Sequence, residues 1–136
     1  MASVGRGYST SPLRNAIAGA DLSTKQWYFV VAAGATADYN NKVTVAGANA
    51  NVLGILCNAP SADGKSALVM GPGGRAKLVI AETVTPGQML TSTSAGKGEV
   101  ADAVAEFVGA IALQYGVVND IIEVLVVAFD AAASDV

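Results

Sequence analysis

The stretch SALVMGPGGRAKLVI, residues 66–80, decides the fold class. It holds two runs of strand length, residues 66–70 and 75–80, separated by the glycine-rich segment GPGG, whose ordinary use is a tight turn. The second run alternates, so that its two bases point one way and its apolar residues the other, as in a strand with one wet side. Its apolar face consists of Ala76, Leu78 and Ile80. The stretch predicts two short strands joined by a tight turn.

Similar short runs recur on both sides of this stretch from Lys25 onward: WYFVVAA, KVTVA, VLGILCN, GQMLTS, EFVGAIAL and DIIEVLVVAF. Turn-forming segments such as YNN, GANAN, PSADG, TPG, SAGKG and VND separate nearly all of them. EVADAVAEFVGAIAL also fits one face of a helix, but Gly109 and the β-branched residues favour a turn followed by a strand. The pattern is typical of an all-β protein, a small β-barrel or sandwich.

The last run, DIIEVLVVAF, is apolar on both faces. Ile122, Val124 and Val126 can line the core. The opposite face then carries four apolar residues, relieved only by Glu123: Ile121, Leu125, Val127 and Phe129. A strand that is apolar on both faces needs cover on both. We expect these four residues to form a subunit interface, although a loop or the N-terminal arm of the same chain would also cover them.

The chain has 136 residues, which indicates one domain. Residues 1–20 mix Gly, Ser, Thr and Pro without a sustained period and predict an extended N-terminal arm, with at most one helical turn in RNAIAGADL. Residues 21–130 form the predicted β domain, and residues 131–136 a short acidic tail.

The composition indicates an assembly protein. Hydrophobic residues make up 52% of the chain and charged residues 14%, against about 25% charged in an average soluble domain. Much of the surface is therefore small and neutral, or covered by other subunits. Residues 1–20 carry two bases and no acid, whereas residues 100–136 carry six acids and no base. Without a basic stripe we expect no nucleic-acid partner, and without a signal peptide or an apolar run of about eighteen residues we expect no membrane partner.

Residues that carry chemistry are scarce. The chain has no histidine and one cysteine, Cys57, which excludes His-dependent nucleophiles, an intrachain disulfide and a thiolate zinc site within the chain. The segment DGKS resembles the end of a phosphate-binding loop, but Ala59 stands where that loop needs glycine, and Pro60 has no N–H to donate. The carboxylate pairs Asp102/Glu106 and Asp120/Glu123 are interpreted as solvated charges. We expect no catalytic residues, no cofactor, no metal and no enzymatic activity.

The order of the elements resembles the head decoration, or capsid cement, proteins of tailed bacteriophages, similar to the lambda-like decoration proteins. The resemblance covers about residues 50–128 and rests on the spacing of glycines and apolar runs rather than on a reactive constellation. Its elements are residues 54–56, 59–64, 67–70, 73–80, 86–88, 109–112 and 121–127.

The resemblance implies a structural protein of the virion, made in the host cytoplasm, that clamps neighbouring major capsid subunits on the outer surface of a phage head as a homotrimer. It also implies an N-terminal segment that becomes ordered on the shell. The contacts expected there are Arg6 and Arg14 with acidic groups and Tyr8 in a pocket. The start of the chain is unlike the lambda one. The alternative is a phage fibre or adhesion module that binds a receptor or a carbohydrate.

Overall fold

The computed structural model describes residues 11–102 and 106–130, which fold into ten strands in two layers. The strands are β1 Leu13–Ala18, β2 Phe29–Ala32, β3 Lys42–Val45, β4 Gly54–Leu56, β5 Ser66–Met70, β6 Arg75–Val79, β7 Met89–Ser92, β8 Gly98–Val100, β9 Phe107–Ala112 and β10 Ile121–Asp130. A short 3-10 helix spans Ala37–Tyr39. The prediction of an all-β barrel or sandwich is confirmed.

The first layer is a closed barrel in the order β1-β3-β2-β4-β5, completed by antiparallel pairing of β1 with β5. The β1–β3 pair is parallel and the other pairs are antiparallel. The second layer is an antiparallel sheet in the order β6-β10-β9-β7-β8. The long strand β10 lies between β6 and β9. One face of β10 points at the barrel, because its residues share a core with Phe29 and Ile55 of the barrel.

Among the described residues, two large apolar cores and a small third cluster hold the fold together. The larger core joins the barrel to the sheet, with Phe29 and Ile55 from the barrel packed against Leu78, Leu90 and other sheet residues. The smaller core fills the barrel with modest side chains: Ala18, Leu22, Val30, Val43, Leu56, Ala67 and Val69. In β10 the predicted core residues Ile122, Val124 and Val126 are buried, because strand alternation turns them all toward the barrel.

The glycine-rich segment between β5 and β6 is a turn, as predicted, but it connects the two layers instead of closing a hairpin. Gly73 adopts φ +96°, which glycine tolerates, and its N–H donates to the Val126 carbonyl at 2.8 Å. The DGKS segment is also a turn, with the Lys65 N–H donating to the Ala62 carbonyl at 3.2 Å. Strand β5 follows it directly, where a phosphate-binding loop would open a helix.

Strand β1 of the barrel lies inside the segment predicted as the N-terminal arm, residues 1–20. Leu13–Ala18 form strand β1 of the barrel, and RNAIAGADL forms no helical turn. Five residues of β1 pair with β5, and Ile17 and Ala18 also pair with β3. These six residues have too weak a local pattern to indicate a strand, and partner strands distant in the sequence provide their hydrogen bonds. Strand β8 was likewise missed. The predicted arm residues 1–10 and tail residues 131–136 lie outside the described residues.

A candidate interaction surface

An exposed apolar surface covers the connection between β9 and β10. Eight large hydrophobic side chains are exposed among the described residues, and five of them lie in residues 113–121. They are Leu113, Tyr115, Val117, Val118 and Ile121, and we call them the 113–121 surface. Tyr115 is 62% exposed, Val118 56% and Ile121 51%. This concentration in nine residues makes the surface the strongest candidate for a contact with another protein.

Gly116 fixes the first half of this connection. Its N–H and carbonyl form a reciprocal pair with Val84, at 3.0 and 2.9 Å. A Cβ on Gly116 would lie 2.5 Å from Cγ2 of Ile122 and 2.9 Å from Cδ1 of Ile80, so a side chain here would displace the core. The close approach ties the apolar connection to the body of the sheet.

A tight turn fixes the second half, residues 117–120. The Asp120 N–H donates to the Val117 carbonyl, and the Asp120 carboxylate accepts the Val117 N–H, both at 2.9 Å. Asn119 adopts φ +70°, a conformation that asparagine tolerates better than most residues. Its N–H donates to the Ile80 carbonyl at 2.7 Å, and its Oδ1 accepts from Lys97 Nζ at 2.8 Å. These hydrogen bonds hold the backbone that carries the apolar side chains.

Hydrogen bonds and one charge pair engage the polar groups that border this surface. Asp120 is used by the turn, and Glu123 accepts a hydrogen bond from Arg75 at 3.1 Å across the β6–β10 pair. The Glu123 N–H donates to Oε1 of Gln114 at 2.7 Å. No group of His, Cys, Asp and Glu able to hold a metal occurs within residues 11–102 and 106–130. The surface therefore presents mainly apolar side chains, and the polar groups that border it are hydrogen-bonded within the chain.

The predicted interface on the outer face of β10 is divided by the structure. Ile121 is exposed and joins the 113–121 surface, and Leu125 is half-buried opposite Ile111. Val127 and Phe129 instead pack against a small cluster of the same chain, formed by Ala101, Val108 and Met89. The pairing of β10 with β9 also shifts register between Val126 and Phe129. Residues of the same chain thus partly bury Val127 and Phe129.

Of the three expected capsid contacts, Arg14 is described, whereas Arg6 and Tyr8 lie in residues 1–10. Arg14 is an exposed residue of β1, opposite Val69 of β5. It stands at the edge of an apolar pocket of about 250 Å³. Val43 and Val69, which belong to the barrel core, also line this pocket, so the pocket is an open mouth of the barrel.

Four carboxylates approach one another near strand β8. Partial burial raises the pKa of Glu99, and the charges of Glu82, Glu106 and Asp102 raise it further. The Glu82 carboxylate accepts the Val100 N–H at 2.7 Å. Of these four carboxylates, the sequence had paired only Asp102 with Glu106. Glu82 lies on the connection from β6 to β7, and local spacing could not show that this connection approaches β8.

Sequence reasoning missed four of the five side chains of the 113–121 surface: Leu113, Tyr115, Val117 and Val118. The signal was present, since the segment LQYGVVND places apolar residues around glycine and a turn, where polar residues are usual. Cys57 is half-buried against the larger core, and burial raises the pKa of its thiol.

The fold is similar to a solved structure titled as the head fiber gp8.5 N base in bacteriophage phi29. The TM-score is 0.65 at 14% sequence identity, and the match covers 84% of this chain and 93% of the other. At this identity the match shows a shared fold. No protein-family model matches the sequence, and no curated protein matches it. Within the described part of the chain, no helix is long and apolar enough to cross a membrane.

Proposed function

We propose that this protein is a structural, non-enzymatic component of a phage head, which binds the outer surface of the shell and clamps neighbouring major capsid subunits. The observation that carries the proposal is the rigid, exposed 113–121 surface on an all-β body. The shared fold with a head fiber base supports placement on a head.

The 113–121 surface suits contact between copies of this chain. Its central residues Tyr115, Val118 and Ile121 are more than half exposed, and apolar area removed from water contributes about 25 cal/mol per Å². Because the turn and Gly116 already fix the backbone, little ordering opposes association. We assign the self-contact to this surface and to the adjoining Leu125, and propose a homotrimer on the shell.

Contact with the shell is assigned to the N-terminal side, with the basic residues Arg6 and Arg14 facing acidic groups of the capsid protein. Each copy in a trimer would then hold one capsid subunit, and the self-contact would link the three. Linked weak contacts multiply, so modest individual interfaces give stable attachment. The low charged fraction of the chain suits a body largely covered by neighbours.

The test is to mix purified protein with undecorated phage shells and image them by electron microscopy. Wild-type protein should appear as repeated trimeric density on the outer surface. The variant Val118→Lys should lose occupancy, whereas Tyr39→Lys, an exposed position on the short 3-10 helix, should decorate like wild type. Normal trimeric decoration by Val118→Lys would refute the role given to the 113–121 surface. Absence of wild-type density would refute the proposed function.

A second candidate is the base of a head fibre, because the structural neighbour is the base of one. A fibre base and a clamp both bind the head, but they differ in what lies outside them. A clamp bridges adjacent capsid subunits, whereas a fibre base carries further protein away from the shell. The same images distinguish these roles, because bridging density between capsid subunits favours the clamp and isolated outward projections favour the fibre base.

A further inference from the structure

The pocket at the barrel mouth is a second apolar feature that the proposed function leaves without a role. It lies at the end of the barrel where β1 begins and β5 ends, and its volume is about 250 Å³. Val43 and Val69 form its inner wall, Ala16 and Leu53 contribute to the sides, and Arg14 stands at its edge. Pockets for drug-sized ligands occupy about 300–1,000 Å³. The volume is therefore better suited to one large side chain than to a whole ligand.

The N-terminal part of the chain reaches the described structure beside this pocket. The Pro12 carbonyl accepts the Gly71 N–H at 2.7 Å, and Gly71 and Pro72 line the pocket. A Cβ on Gly74 would lie 2.9 Å from Cγ of Pro12, so the absence of that Cβ allows the chain to enter there. Pro12, the second residue that the structure describes, therefore lies beside the pocket.

Among residues 1–10 the large apolar side chains are Met1, Val4 and Tyr8. Tyr8 is four residues from Pro12, a separation that an extended chain spans in at most about 14 Å. Its ring has the apolar area to fill the pocket, and its hydroxyl can remain at the wet rim. Residues 131–136 contain only alanines and one valine as apolar residues, so they offer less to bury.

We propose that the barrel-mouth pocket binds the Tyr8 side chain of the same chain and anchors the N-terminal segment to the barrel. Tyr8 is then an internal anchor rather than the shell contact expected from the sequence. The inference rests on the pocket and on the entry point of the chain, and it does not require the role on a phage head.

Nuclear Overhauser effects test the proposal directly, on the full chain with labelled methyl groups. Tyr8 ring protons should show cross-peaks to the methyls of Val43, Leu53 and Val69. Tyr8→Ala should shift these methyl resonances, whereas Tyr8→Phe should keep the ring contacts because the hydroxyl lies at the rim. Tyr39→Ala, which removes an exposed tyrosine elsewhere on the barrel, should leave the three methyls unchanged.

A second variant fills the pocket from its wall instead of changing Tyr8. Ala16→Leu places a larger side chain on the pocket wall and should abolish the Tyr8 contacts while the remaining spectrum stays folded. If that variant unfolds, the comparison of Tyr8→Ala with Tyr8→Phe decides alone. Cross-peaks found only between differently labelled molecules would overturn the proposal in favour of arm exchange between copies. Pocket methyls that ignore deletion of residues 1–10, or respond only to deletion of residues 131–136, would overturn it too.

Discussion

The 113–121 surface and the outer face of β10 have the same apolar character but different surroundings. Both are rich in valine and isoleucine or leucine, and they meet at Ile121. Along β10 the face becomes covered toward its end, where Val127 and Phe129 pack against Ala101, Val108 and Met89. Toward the β9–β10 connection the side chains become exposed, with Val118 at 56%.

This difference shows that an apolar sequence pattern predicts that a face should be buried, but does not identify what buries it. The end of β10 is partly buried because Val127 and Phe129 pack against the buried residues Ala101 and Val108, the second of which lies on the neighbouring strand β9. The 113–121 surface is held rigid by backbone hydrogen bonds, so it keeps its apolar side chains outward. Of these two regions, only the 113–121 surface exposes substantial apolar area.

The largest effect should come from the core residue beneath the exposed surface. Ile80 is fully buried and lies against Gly116, and its carbonyl accepts the Asn119 N–H. Ile80→Ala should lower the free energy of unfolding by about 2–5 kcal/mol, because it leaves a cavity. The matched control Ile121→Ala, on the exposed surface, should change it by less than about 0.5 kcal/mol. Chemical denaturation measures both, and equal losses would contradict the assigned burial.

Overfilling the connection should have the next largest effect. Gly116→Val should cost about 1–3 kcal/mol of unfolding free energy, since the new side chain meets Ile122 and Ile80. Gly47→Val is the control, because a Cβ at Gly47 has nothing within 4 Å. Thermal melting of the two variants tests the close approach. A Gly116 variant as stable as the Gly47 variant would show that the connection is not fixed there.

Lysine substitutions compare the two apolar regions directly. Val127→Lys should lower the free energy of unfolding by about 1 kcal/mol, because Val127 is half-buried against its own chain. Val118→Lys should leave that free energy nearly unchanged and weaken self-association instead. Denaturation combined with analytical ultracentrifugation separates the two responses. If Val127→Lys affected only association, the end of β10 would be an interface after all.

The smallest effect should be the pH dependence from Glu99. Its pKa is raised in the folded protein, so its ionised form is disfavoured by folding. Its contribution to stability is therefore most favourable below its unfolded pKa and is lost as the pH rises through the folded value. Melting temperature measured between pH 4 and pH 7, a range set by the ordinary glutamate pKa of about 4.3, should fall less for Glu99→Gln than for wild type. If the melting temperatures of the two proteins changed in parallel with pH, the raised pKa of Glu99 would be contradicted.

Several parts of the fold could be predicted from the sequence because they depend on local spacing. Alternation in RAKLV and in IIEVLVV placed the core residues of β6 and β10 correctly, since successive side chains of a strand point to opposite faces. Glycine-rich turns marked most strand ends for the same local reason. The sequence also showed that both faces of β10 are apolar and therefore that both faces need to be buried.

Tertiary structure alone decided the rest, because it depends on residues distant in the sequence. Leu13–Ala18 became a strand since β5 and β3 provide its hydrogen-bond partners, which its own residues do not announce. The GPGG turn was local, but whether it closed a hairpin or linked two layers depended on where β5 and β6 found partners. The exposure of Tyr115 and the cover of Phe129 followed from the path of the chain, since burial is a property of neighbours in space rather than of neighbours in sequence.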